Sequence, residues 1–429
     1  AVVGKPVTFN PLFSKTEAEK EINSLVFRGL IKISPQGLPV GDLTDKYEIK
    51  NDTDYIFYLK RNVYWQDGKK FTADDVVYTF QTGQNSLYQS QIAETFRDVE
   101  VIKQDDYTVV FHLREAFSPF LTALTVGIIP EHIKLSNYRP IGTGEFHFVE
   151  IKKDYSILEG KKVRIKFQYY PTTEIAETAV KLSLVHGMPN YGSLGNTFQG
   201  WNNFQIKTAT LAYQEVIAFF NLKDDILKEK SVRQALAYAT PKDQILNSTF
   251  GKKGAKAFNS LPDIPALQEK ATEKYPYNLD KARKMLNSVG WALKDNFRYK
   301  DNKKMTLTIT TIDNPEYVDS AIKMRDSFRK IGLDVEVVVV SGSELTNKIV
   351  PNRDFSILLT SQLLDSDPDQ YVLWHTTQVK ESNISAIETP KIDKLLEDGR
   401  KTSDPKVRTE KYHEFTRILL DEEPAVFLY

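Results

Sequence analysis

MTLTITTIDNPEYVDSAIKMRDSFRKIGLDVEVVVV, Met305 to Val340, decides the fold class. MTLTITTI reads as a strand, VDSAIKMRDSFRKI as a helix stopped by Gly332, and LDVEVVVV as a second, fully buried strand. Strand, helix and strand in that order form a βαβ unit, so this half of the chain is α/β. A further apolar run, FSILLT, ends at Thr360, and SQLLDSDPDQYVLWH, Ser361 to His375, follows it directly. Ligands of α/β sheets sit beyond the carboxyl ends of the strands. Ser361, Gln362 and Asp365 are therefore candidate ligand-binding residues, with Tyr371 and Trp374 as candidate apolar walls.

Upstream, Val232, Ala235, Leu236 and Ala239 recur at helical spacing, as do Ala282, Met285, Leu286 and Val289, the second set stopped by Gly290. Downstream, two helices around Ile392 to Leu396 and Tyr412 to Leu420 precede a last strand, PAVFLY. The first third follows a different pattern. DYIFYLKRNVYW places Tyr55, Phe57 and Leu59 on one face, and DYTVVFHL does the same with Tyr107, Val109, Phe111 and Leu113. Between these antiparallel strands Thr72 and Asp75 announce a helix that carries Val76, Val77 and Phe80 inward. The pattern changes near residue 220, which divides the chain into two lobes: 1–218, with a strand-rich subdomain at about 35–138, and an α/β lobe at 219–423.

Composition excludes several classes. Lysine plus arginine (57) equals aspartate plus glutamate (57), so no global field holds nucleic acid or an anionic surface. Cysteine is absent, which removes disulfides, thiolate catalysis and zinc–sulfur sites and suits an exported protein. The six histidines show no ligand spacing such as His-x-x-x-His, and G-x-S-x-G and phosphate-loop patterns are missing. No cofactor and no protein-built metal site are expected. No apolar run approaches the roughly 18 residues of a membrane span, and AVVGKPVTFNPLF lacks the character of a leader.

A whole-chain resemblance rests on FNPLF (Phe9 to Phe13), LVFRGLIKISPQGLPVGDL, YIFYLKRNVYWQDGKKFTADDVVYTF, IGTGEFHF, KSVRQALAYATPKDQI, YNLDKARKMLNSVGW, FRKIGLDVEV and DEEPAVFLY, in that order. WQDGKKFTADDVVYTF, Trp65 to Phe80, is the most specific of these. Together they resemble the extracytoplasmic substrate-binding proteins of peptide and nickel ABC transporters, the family 5 solute-binding type. The resemblance implies a bilobal periplasmic-binding-protein-like α/β fold of the hinge-closing type II, ligand enclosed between lobes, and residues 424–429 returning to the first lobe. It also implies a non-catalytic monomer outside the cytoplasm, often lipid-anchored, that passes peptides to a membrane-embedded permease. Alternatives on the same scaffold are a metal chelate, to which His375 could contribute, an oligosaccharide, a small cationic compound, or a sensory or chaperone role.

In peptide-binding relatives an aspartate four residues before the proline of an Asp-Pro or Glu-Pro pair holds the peptide's amino terminus. Counting from Pro368, that position is Leu364, and Asp365 sits one residue late. Where the family commonly has proline and an aromatic after GTG, Glu145 and Phe146 stand here. Asn10 could bond a ligand backbone or cap a helix, Trp65 is expected to pack in the strand-rich subdomain, and Phe198 and Trp201 are further candidate walls. A calcium loop fails for DSDPDQ, because Pro368, Gln370 and Thr376 stand at loop positions four, six and twelve. Carboxylate pairs can also serve glycoside hydrolysis, but nothing sets the needed spacing here. Asp367 and Asp369 are expected as solvated turn residues.

Overall fold

A computed structural model describes residues 1–189, 198, 201, 205, 207, 213–250, 254–262, 267 and 272–429. The chain divides into two units, Ala1–Gly192 with Arg400–Ser403, and Ser193–Gly399 with Asp404–Tyr429.

In the first unit, β1 (Val2–Val3) is followed by α1 (Glu17–Val26), whose start is fixed by a capping box between Thr16 and Glu19. Strands β2 (Thr44–Lys50) and β3 (Asp54–Leu59), helix α2 (Ala73–Gln84), and strands β4 (Val99–Asp105) and β5 (Thr108–Leu113) come next. The strands form an antiparallel sheet in the order β2-β3-β5-β4. The alternation is as expected for Tyr55, Phe57, Leu59, Val109, Phe111 and Leu113, which are buried and covered by Val76 and Phe80 of α2, whereas Tyr107 and Val77, expected inward, are only half-buried. Phe80 meets Phe111 edge to face at 4.9 Å. Each such ring buried is worth about 1.5–3 kcal/mol, and Phe96 and Phe120 join α2 in closing this core. A second sheet runs β1-β8-β7-β6, from β6 (His147–Ile151), β7 (Tyr155–Glu159) and β8 (Arg164–Tyr170), and α3 (Thr173–Lys181) follows it.

The segment from Trp65 to Phe80 is scaffolding. Asp75 is buried and accepts from Trp65 Nε1 (3.2 Å), Thr72 N (2.9 Å) and Glu131 N (2.9 Å). Burial nevertheless pushes its carboxyl above the usual range. Gln66 is clamped to the GTG loop, accepting from Gly142 N (3.0 Å) and donating to Phe146 O (2.7 Å). The loop itself lies on the end of α1: Gly144 N donates to Val26 O at 2.8 Å, and a Cβ on Gly142 would come within 1.9 Å of that oxygen. Only glycine permits so close an approach. Asp75→Asn keeps one carbonyl oxygen for three donors, so we expect a loss of about 2 kcal/mol in urea unfolding. An unchanged midpoint would refute the role of Asp75 as the hub.

In the second unit, β9 (Gln214–Phe220) precedes α4 (Lys230–Ala239), α5 (Lys242–Phe250) and α6 (Leu279–Ser288). The expected βαβ unit is present as β10 (Thr306–Ile312), α7 (Pro315–Lys330) and β11 (Asp334–Val340), the strands parallel from Thr306↔Asp334 to Ile312↔Val340. Then come β12 (Ile357–Leu363), α8 (Pro390–Lys401), α9 (Pro405–Glu422) and β13 (Ala425–Phe427). One mixed sheet has the order β11-β10-β12-β9-β13. Gly290 and Gly332 end α6 and α7 with φ of +86° and +93°, as their positions predict.

Three expectations need correction. The division falls at Gly192 rather than residue 218, because β9 pairs along its length with β12, from Gln214↔Leu363 to Phe220↔Ile357, and so belongs to the second unit's sheet. PAVFLY does not return to the first unit: β13 pairs antiparallel with β9, Ile217↔Phe427 to Phe219↔Ala425. And β11 is an edge strand, not fully buried, with Val338 37% and Val339 45% exposed, because β12 occupies the other side of β10. Arg233 ties the two ends of this unit's sequence together. Its buried guanidinium donates to Glu422 O, Glu423 O (3.0 Å) and Leu227 O (2.9 Å), joining the start of α4 to the end of α9.

Candidate functional site

Strand β12 runs three residues past Thr360, so Ser361 and Gln362 are ladder residues paired with Val216 and Glu215. Both are half-buried, and the loop proper starts at Leu364. Leu364 is buried, and its N–H donates to Tyr213 O at 2.8 Å.

The alternate aspartates then explain themselves. Asp365 Oδ1 accepts from Asp367 N (3.3 Å), Asp367 Oδ1 from Asp369 N (2.9 Å), and Asp369 Oδ1 from Tyr371 N (3.2 Å). Each carboxylate bonds the N–H two residues on, which is the Asx-turn pattern, and a period of two in sequence is what a chain of such turns requires. Asp367 departs from the expected solvated turn residue. It is buried and forms a bidentate ion pair with Arg408 of α9, Oδ1 to Nη2 at 2.7 Å and Oδ2 to Nη1 at 2.9 Å. Burial would lower the Arg408 pKa, and the Asp367 carboxylate more than offsets it. Asp365 is exposed, and its charge adds to burial in raising the neighbouring Tyr213 hydroxyl above its ordinary value.

The chain next makes one helical turn, Tyr371–Trp374. Trp374 is no pocket wall. It is 1% exposed and packs with Phe219 and Phe427 in the core of the unit. Tyr371 stacks on His375 with ring centroids 3.9 Å apart and keeps part of its surface open. His375 is buried, its Nδ1 accepts from Thr377 N at 3.1 Å, and its Nε2 lies 3.4 Å from Glu397 Oε1. Among the described residues no group of His, Cys, Asp and Glu is arranged to hold a metal ion.

Asn10, in the first unit, is buried and caps the short helical turn Pro11–Phe13, its Oδ1 accepting from Leu12 N at 3.0 Å. The capping alternative is therefore the observed one. Trp201 is 44% exposed and donates through its N–H to Phe198 O at 3.2 Å. Most residues around these two, including 190–197 and 202–204, lie outside the described residues. Ser361, Gln362, Asp365 and Tyr371 are thus brought to one strand end, while Asn10 and Trp374 serve packing and capping. Arg408 and Tyr213 were not foreseen: no local motif marks a partner 41 residues away from Asp367.

Residues 39–383 match the sequence profile of the bacterial extracellular solute-binding proteins, family 5 Middle. The chain belongs to this family. It is accordingly an extracytoplasmic solute-binding protein of the ABC-importer type and not an enzyme. The oligopeptide-binding protein AppA of Bacillus subtilis is 28% identical over 462 residues, an alignment covering 100% of this chain and 84% of AppA. The structure of that AppA in complex with a nonapeptide superposes with a TM-score of 0.70 at 28% identity, covering 100% of this chain and 92% of the other. NikZ from Campylobacter jejuni, solved with Ni(L-His), gives a TM-score of 0.74 at 26% identity, with coverage of 100% and 91%. These likenesses place the family 5 chain on the bilobal periplasmic-binding-protein-like fold.

Proposed function

We propose that this protein captures peptides outside the cytoplasm and passes them to an ABC importer, with the loop from Leu364 to Tyr371 as a ligand-facing element. The observation that carries this reading is the Asp365 carboxylate. It stands at the carboxyl end of a central strand, exposed, with only Oδ1 engaged in the turn. Its other oxygen is available for a peptide's terminal ammonium, a charge-assisted pair that strengthens as water is excluded. Likeness to peptide-binding relatives supports the same class of ligand. Tyr371 offers an apolar face beside it, and backbone contacts rather than side-chain pockets would let varied sequences bind.

Native mass spectrometry of the purified protein, followed by identification of released small molecules, tests the reading. Peptides of mixed sequence are expected. A single metal chelate or sugar would replace the substrate class while leaving the family assignment intact. Asp365→Asn then tests the anchor: titration calorimetry should show affinity for peptides with a free amino terminus falling about tenfold. Equal affinity in both proteins would remove Asp365 from the site.

A further inference from the structure

We infer that Arg408 is a positioning residue for ligand capture: by gripping Asp367 it sets the direction in which the Asp365 carboxylate points. The inference rests on the reading of the Leu364 to Tyr371 loop as ligand-facing. The loop is fastened at both ends, by Leu364 N to Tyr213 O at 2.8 Å and by Trp374 in the core. Its middle is held to the rest of the unit by the Arg408 fork. Arg408 lies one turn into α9, whose start is pinned by Asp404 accepting from Lys406 N (2.8 Å) and Val407 N (3.2 Å). Its third donor, Nε, is committed to Gly399 O at 3.0 Å, and its guanidinium lies over the Tyr412 ring at 5.5 Å. The side chains of Arg408 and Asp367 are 13% and 5% exposed. Two parallel bonds from a planar fork fix the orientation of the carboxylate as well as its position. Because Asp365 Oδ1 takes the N–H of Asp367, a rotation at residue 367 is transmitted to residue 365.

A buried ion pair of this kind could equally serve stability alone, and the two roles separate experimentally. Removing only Arg408 leaves an unpaired buried carboxylate and is strongly destabilising. The double variant Arg408→Met with Asp367→Asn has no buried charge. Its side-chain amide at position 367 also keeps an oxygen for the N–H of Asp369, so the melting temperature should return close to that of the wild type. What it lacks is the fork. We expect the backbone amides of residues 367 and 369 to exchange with deuterium about tenfold faster in the double variant. Affinity for trialanine should fall about tenfold, and the preference for trialanine over N-acetyl-trialanine should disappear. Arg408→Lys, a point charge without the fork, should lie between wild type and double variant in both readouts.

Wild-type exchange at those two amides in the double variant overturns the inference, whatever the ligand. Faster exchange with undiminished affinity and preference for trialanine also overturns it, since the loop would then be loosened without consequence for capture. A wild-type protein that ignores trialanine while binding a non-peptide ligand defeats the peptide reading instead. The exchange comparison then still decides whether Arg408 holds the loop, with affinity for the recovered ligand as the second readout.

Discussion

Replacing Glu19 by alanine is expected to destabilise the first unit by about 3 kcal/mol. Glu19 is 1% exposed, and its carboxylate accepts four backbone N–H groups: Val7 (2.6 Å) and Thr8 (3.1 Å) through Oε1, Lys15 (2.7 Å) and Thr16 (3.0 Å) through Oε2. It closes the loop that carries Phe9 to Phe13 onto the first turn of α1. Alanine strips those N–H groups of their common acceptor and empties the space that Glu19 fills beside the loop, where Phe9 also meets Phe148 at 4.6 Å; Val7, Lys15 and Thr16 are exposed, so water replaces part of the loss. Burial by itself would raise the Glu19 pKa, and the four donors overcome it, so the net shift is downward. A carboxyl with a depressed folded-state pKa stabilises above the ordinary glutamate range and ceases to do so as the pH falls through its folded value. The wild type should therefore lose stability in acid below about pH 4.5, and Glu19→Gln should flatten that limb. Urea unfolding at pH 7 and pH 3.5 checks both points; an alanine variant within about 1 kcal/mol of wild type at pH 7 would show that the loop closes without the carboxylate.

Glu423 should behave in the opposite sense. It ends α9 with a φ of +47°, its side chain is buried, and Oε2 has no hydrogen-bond partner among the described residues. Burial pushes its pKa up to about 8, despite Lys242, Lys274 and Arg233 nearby, all of which favour the charged form. Among the described residues Glu273, Glu215, Lys256 and Tyr275 are further titratable groups around Lys242 and Glu423, and burial drives Lys242 itself down. The folded state thus keeps a proton on Glu423 that the unfolded chain has already released. Its stabilising contribution is complete below about pH 4.5 and is lost as the pH rises to about 8. Glu423→Gln, permanently neutral and nearly the same shape, should be more stable than the wild type at pH 9 by an amount on the order of a few kcal/mol, read as a higher melting temperature, with little change at pH 4.5. Parallel melting curves for the two proteins across that range would mean that the carboxyl is solvated or paired after all.

The local grammar of the chain was legible, and its lateral order was not. Periodicity located α2, α4, α6 and α7 and the buried faces of β3 and β5, because burial repeats every two or about 3.6 residues wherever one face meets a core. Four consecutive valines in β11 read as a strand covered on both faces, yet which neighbour a strand takes depends on β12, seventeen residues later in sequence. The same blindness moved β9 and β13 into the wrong unit. At the candidate site, the strand end and the turn-forming aspartates could be read, while the burial of Asp367 could not, because its partner lies on a helix beyond two intervening elements. The most specific family segment, Trp65 to Phe80, proved to be a hydrogen-bond hub around Asp75 and Gln66. It identifies the lineage and is silent about the ligand.

The position of β11 has a consequence for how the chain must fold. Among the described residues, Asp334–Val340 presents an unpaired edge of seven residues, and beyond Glu336 it consists of valine alone. Such a run is a ready template for a second unfolded copy. The partner that should claim its other side, β10, precedes it by a single helix, so intrachain pairing is local and fast compared with encounter between chains. Glu336 stands exposed within that edge, where a charge opposes stacking of identical strands. Until β10 claims it, this strand stands uncovered, and Glu336 is the charge within the edge that disfavours pairing with another copy.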